Sequence, residues 1–135
     1  MVGCVSLGEQ TDSVLFISTH SIPAFNESNY QQVEAHLEKI KTYLEDVEIP
    51  HLILGNFYIV SWAKEIQNFR NGTNLQDSRT GFMPNYVSGT LSFFDIPLDH
   101  IFYSNEFKCL DFKSLSGNIS KHIGIQGLYQ LNYVE

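Results

Sequence analysis

Pro50-His-Leu-Ile-Leu-Gly-Asn-Phe-Tyr-Ile-Val-Ser-Trp62 joins an apolar run to a glycine-containing loop and the start of a helix. A short apolar run, Leu52, Ile53 and Leu54, ends at a glycine, and a new helical segment opens at Ser61. These are the marks of a buried strand delivering a loop at its carboxyl end, where α/β sheets place their sites. Upstream, Tyr30, Val33, Leu37, Ile40, Leu44 and Val47 recur at three- and four-residue steps, with Glu34, Glu38, Lys41 and Glu45 between them. That period predicts an amphipathic helix over 30–47, capped by Asn26 or Ser28 and followed by Pro50.

Nearer the N-terminus, two β-rich runs over 2–7 and 14–19 flank a polar turn that suits a hairpin. After the central strand, Trp62, Ile66 and Phe69 predict a shorter helix capped by Ser61 and stopped at Asn71-Gly72. A polar, glycine-containing loop runs on to Tyr86. Strands are then expected over 90–94, 98–104, 108–112 and 124–133, separated by turn-forming residues. This order predicts an α/β (α+β) domain over 1–135: a mixed, mainly antiparallel sheet with helices on one face.

Composition narrows the function classes. At 135 residues and 43% hydrophobic, the chain can build one core. A formal charge of −7 with only eight Lys plus Arg argues against a preformed duplex-binding surface, because phosphate contacts need clustered cations. Cys4 and Cys109 are too few and too far apart for a disulfide framework or a zinc site, so they read as buried or free thiols. No apolar run approaches the ~20 residues that span a bilayer, and the sequence as given reads as soluble, with its compartment open. Asn-x-Ser/Thr triplets at Asn26, Asn71 and Asn118 are about what chance supplies in so polar a chain.

Four segments carry chemistry: Gly55-Asn-Phe-Tyr58, Thr19-His-Ser-Ile-Pro23, Ile96-Pro-Leu-Asp-His-Ile101 and Ser120-Lys-His122. In this order they resemble the Gly-Asp-Phe-Asn, Thr-His-x-x-Pro, Ile-Asp-His and closing Ser-Asp-His elements of the endonuclease/exonuclease/phosphatase (DNase I-like) superfamily. Leu75-Gln-Asp-Ser-Arg79 and Met83-Pro-Asn-Tyr86 fall where relatives carry a Leu-x-Asp-Ser-Arg turn and a Pro-Thr-Trp element. The resemblance runs from about Val5 to about Leu131 and covers the family's C-terminal half. It is closest to an uncharacterised bacterial branch with Pro-Trp-Ser after the motif, here Val60-Ser61-Trp62 in altered order. That branch names no substrate, and the compartment stays open, the bacterial cytoplasm being one candidate.

The resemblance implies a magnesium- or manganese-dependent phosphoester hydrolase and half of a four-layer sandwich. It places the family's catalytic positions at His20, Asn56, Tyr58, Asp99 and His122. In relatives, the Asp of the motif activates the nucleophile, the Asn stabilises the transferring phosphoryl group, and the final Asp-His pair binds metal and orients phosphate. Here the two motif positions hold Asn56 and Tyr58, and Lys121 stands where the final Asp would be. An amide is no general base near neutral pH, and Lys121 would repel a divalent cation. What survives is the supporting set: Asp99 matches the carboxylate that holds the final His, His122 that His, and His20 a phosphate-orienting His. His36, His51 and His100 fall outside this set, and packing or surface roles are expected for them.

The family's principal magnesium ligand, a Glu of its N-terminal half, has no counterpart in the sequence given, so no metal ligand is assigned and no cofactor is expected. Met1 directly ahead of a strand fits an excised piece or a shortened, diverged gene product. The expectation is a domain without catalysis as given. The alternative is a non-catalytic module that binds a phosphorylated ligand or assembles. Half a sandwich would expose an apolar sheet face bearing Phe16, Ile53, Phe102 and Ile125, which suggests a homodimer through that face.

Overall fold

The structure, a computed structural model, describes residues 1–6, 13–23, 26–81, 97–115 and 123–132. Strands β1 (Val2–Ser6), β2 (Ser13–His20), β3 (His51–Asn56), β4 (Gln76–Asp77) and β5 (Asp99–Tyr103) form one sheet in the order β1-β2-β3-β5-β4. The β2–β3 pair is parallel and the other pairs are antiparallel. Helix α1 (Glu27–Leu44) provides the crossover between β2 and β3, and α2 (Lys64–Thr73) follows β3. Strands β6 (Phe107–Ser114) and β7 (Ile125–Leu131) pair as a separate two-stranded sheet with a bulge between Cys109 and Asp111. The mixed α+β class and its mainly antiparallel pairing are as expected.

Both helices lie on one face of the five-stranded sheet. Val33, Leu37, Ile40 and Leu44 of α1 and Ile66 and Phe69 of α2 share one core with Leu15, Ile17, Ile53, Phe57 and Phe102. Ile53, Phe57, Ile66 and Phe102 are fully buried, each worth about 1.5–3 kcal/mol relative to exposure. Asn26 caps α1 by accepting the Asn29 N–H at 2.9 Å, which decides between the two candidate caps. The helix stops at Leu44, and Val47 packs on the core from the turn beyond.

The second helix departs from expectation at both ends. Its N-cap is Ala63, without a side-chain cap bond, and Ser61 is instead engaged with His100. Asn71 and Gly72 lie inside the last turn, and Asn74 ends the helix in the left-handed conformation. The expected strands over 98–104, 108–112 and 124–133 correspond to β5, β6 and β7, whereas 90–94 lies outside the described residues.

The sheet face away from the helices carries Phe16 but not the expected Ile53, Phe102 or Ile125. Side chains alternate along a strand, and Ile53 and Phe102 fall on the helix side, in the main core. Ile125 belongs to the β6–β7 pair rather than to the large sheet. The face away from the helices carries Val14, Phe16, Leu52, Ile101 and Tyr103, and β6 and β7 cover part of it with Phe107, Tyr129 and Leu131. Tyr129 anchors this contact: its ring lies 5.5 Å from that of Tyr103, and its hydroxyl meets Ser78 Oγ at 2.5 Å.

Candidate functional site

The parallel alignment of β2 with β3 places His20 opposite Asn56, and the antiparallel alignment of β3 with β5 places Asp99 opposite Asn56. Directly paired residues share a sheet face. His20, Asn56 and Asp99 therefore form a row across three adjacent strands, at the carboxyl end of β3, on the face away from the helices. Asn56 is buried at the centre, Asp99 is half-buried and His20 is exposed.

Local structure explains how the row is held. Gly55 has φ +148°, and a Cβ there would sit 1.8 Å from the Thr19 carbonyl oxygen, so only glycine lets β2 and β3 approach here. The Asn56 carbonyl accepts the Ser21 N–H at 2.8 Å, and the Phe57 N–H donates to the Leu98 carbonyl at 3.0 Å, fixing the loop to both neighbours. Phe57 plugs into the core against His100 and Phe102. Asn56 Oδ1 accepts the Tyr58 N–H at 2.9 Å, and Tyr58 adopts the left-handed conformation with φ 52°. Its ring meets that of His20 edge-on, with centroids 5.5 Å apart.

The structure thus brings together His20, Asn56, Tyr58 and Asp99. Lys121 and His122 lie outside the described residues, and so does the Asp99–His122 pairing expected from the sequence. The other histidines are engaged structurally. His100, on the opposite strand face from Asp99, is fully buried and stacks on Phe102. Its Nε2 donates to the Ile59 carbonyl at 2.7 Å, which leaves Nδ1 to accept from the Ser61 hydroxyl at 3.2 Å. Burial pushes the His100 imidazole below its ordinary value, partly offset by the Ile59 bond. His51 Nδ1 bonds the Ile49 carbonyl at 2.9 Å, and His36 Nε2 bonds Thr19 Oγ1.

Arg79 gains a role that its sequence context alone did not reveal. The buried guanidinium donates from Nη2 to the Asp99 carbonyl at 2.7 Å and lies 5.3 Å from the Phe112 ring centre, so it ties the start of β5 to β6. Its backbone N–H is in turn fixed by Asp77 Oδ1 at 2.9 Å.

Among the described residues no three His, Cys, Asp or Glu side chains come together. Asn56 occupies the centre with a neutral amide whose oxygen already accepts the Tyr58 N–H. These residues do not fit a magnesium site, which needs a shell of oxygen ligands including carboxylates. Among the described residues, no helix is long and apolar enough to cross a membrane.

No protein-family model matches the sequence, and no curated protein matches it. Solved structures do match its fold. A conserved protein of unknown function from Enterococcus faecalis superposes with a TM-score of 0.77 at 18% identity, over 97% of this chain and 55% of its own. The human Nocturnin catalytic domain with bound sulfate gives 0.74 at 14% identity, over 97% and 52%. An endonuclease/exonuclease/phosphatase family protein from Bacteroides thetaiotaomicron gives 0.71 at 15% identity, over 98% and 55%. The chain thus spans about half the length of these structures, and its fold is that of one half of an endonuclease/exonuclease/phosphatase family protein, the half that its motif order reads as C-terminal.

Proposed function

We propose that the chain is the C-terminal half of an endonuclease/exonuclease/phosphatase domain, ancestrally a magnesium-dependent phosphoester hydrolase, whose catalytic power has been lost. The observation that carries this reading is the row His20, Asn56, Asp99, with a neutral amide in the position where the family resemblance places its carboxylate base. Removing a positioned acid or base typically costs ~10²–10⁴ in rate. Tyr58 and Lys121 add to the deficit: one replaces the amide assigned to the phosphoryl group, and the other puts a cation where a metal ligand would be.

Calorimetric titration with magnesium and with manganese tests the reading. Heats of dilution alone are expected, and saturable binding at micromolar metal would contradict it.

A second reading is favoured by the sheet face away from the helices. Phe16 and Ile101 there are only partly covered, an apolar surface that could serve assembly or a partner. In that reading the site holds no substrate and the chain acts as a binding module or a homodimer. Mass in solution by light scattering tests it: a dimer that dissociates in a Phe16→Glu variant is the expected result, and a monomer at high concentration would exclude the homodimer.

A further inference from the structure

Between the end of β2 and the middle of α1 opens a cavity of about 280 Å³ that reaches His20 of the row but not Asn56 or Asp99. It is lined by Ser21 and Ile22 after the strand and by Gln32, Ala35, His36 and Lys39 on the helix, with His20 at its edge. A neighbouring groove of about 370 Å³ shares His20, His36 and Lys39 and continues along Ile17, Ile40 and Tyr43. The sequence holds fifteen Asp and Glu, yet no carboxylate is among the described residues lining either space. By contrast, the cavity on the other flank of α1 is lined by Glu34, Glu38 and Glu65.

A second observation points to a ligand. Ser21, which lines the cavity, is only 5% exposed; its backbone N–H is spent on the Asn56 carbonyl, and its buried hydroxyl has no hydrogen-bond partner. A buried hydroxyl left unpaired costs about 1–3 kcal/mol, so it marks a place where an acceptor is missing. His36 is fixed by its Nε2 contact with Thr19 Oγ1 and stands beside Lys39 on α1. An anion placed there would lie against the Lys39 ammonium with the His36 ring beside it.

We infer that this cavity is an anion site, separate from the row at the end of β3, that takes a phosphoryl group. Lys39 supplies the charge, Ser21 and Gln32 supply hydrogen-bond donors, and His36 lies at its wall. The phosphoryl group belongs either to inorganic phosphate or to a small monoester whose apolar body lies along Ile17, Ile40 and Tyr43. The site does not depend on the lost-hydrolase reading, because of the residues in that row only His20 lines it, and Asn56, Tyr58 and Asp99 do not.

The test is an NMR titration of the whole chain with inorganic phosphate and, separately, phenyl phosphate, at constant ionic strength held with chloride. Saturable shifts are expected at the Gln32 side-chain amide and the His36 ring, both on the α1 side. Lys39→Gln should weaken binding about tenfold, the value of one charge-assisted hydrogen bond. Lys41→Gln removes the same charge from a residue outside the cavity and should leave affinity within about twofold. Ser21→Ala should weaken binding as well. Tighter binding of phenyl phosphate assigns a monoester with an apolar body, and equal affinity assigns phosphate itself. Absence of saturation, equal weakening by the two lysine variants, or shifts confined to Asn56 and Tyr58 would each overturn the inference.

Discussion

Asn56 Oδ1 accepts the backbone N–H of Tyr58 at 2.9 Å, and the turn it closes leaves Tyr58 in left-handed backbone with φ 52°. The residue at the head of the site is therefore a structural acceptor, and the one two positions on carries a conformational cost. An Asp would accept the same N–H, and an Asn tolerates left-handed backbone better than a Tyr does.

Tyr58→Asn is accordingly expected to hold or raise stability, by up to about 1 kcal/mol, despite losing the ring contact with His20. Denaturant unfolding checks it. A loss of more than about 1 kcal/mol would show that the His20–Tyr58 contact outweighs the backbone term.

Gly55→Ala should be among the most damaging single substitutions in the chain. The added Cβ meets the Thr19 carbonyl oxygen at 1.8 Å and the backbone is at φ +148°, so β2 and β3 must separate. A loss of about 3 kcal/mol or more, or insoluble protein, is expected. Near-native unfolding would mean that the two strands can part at little cost.

Stability should fall on acidification through the histidine range. His100 is neutral when folded because burial lowers its affinity for protons, whereas the unfolded chain protonates it below about 6.5. The unfolded state then binds more protons, so stability drops as pH falls from about 6.5 toward the lowered folded value and levels off below it. His36, also lowered by burial and by Lys39, acts in the same direction. His100→Gln should flatten the slope of unfolding midpoint against pH, and an unchanged slope would assign the effect elsewhere.

Tyr129→Phe should loosen the β6–β7 pair from the sheet. The Tyr129 hydroxyl meets Ser78 Oγ, which also donates to the Ile101 carbonyl at 2.6 Å, and burial pushes the Tyr129 phenol up. About 1 kcal/mol is expected, with less than additive loss when combined with Ser78→Ala. Additive losses would show that the two hydroxyls act separately.

Much of this architecture was legible because it rests on local periodicity. The 3.6-residue period of Tyr30 to Leu44 and the punctuation at Asn26 and Pro50 marked α1, and the apolar run before Gly55 marked the site strand. The faces of that strand were not legible. Leu52 and Ile53 are both apolar because the strand is covered on both sides there, so no alternation told which of them meets the helices. The end of α2 was misread because Gly72 fits within a helical turn when Asn74 supplies the left-handed cap. Ser61 looked like a cap, but its partner His100 is 39 residues away in sequence, a contact no local pattern encodes. The two-residue β4 carries too little pattern to stand out. The motifs placed His20, Asn56 and Asp99 in the site, while their shared row came only from strand register.

The most direct test of the central claim is hydrolysis of a generic phosphodiester in magnesium or manganese by the chain and by its Asn56→Asp/Tyr58→Asn/Lys121→Asp variant. The account predicts no metal-dependent turnover by the unaltered chain. Metal-dependent turnover by that chain, abolished by chelation, would contradict it and require a base other than residue 56.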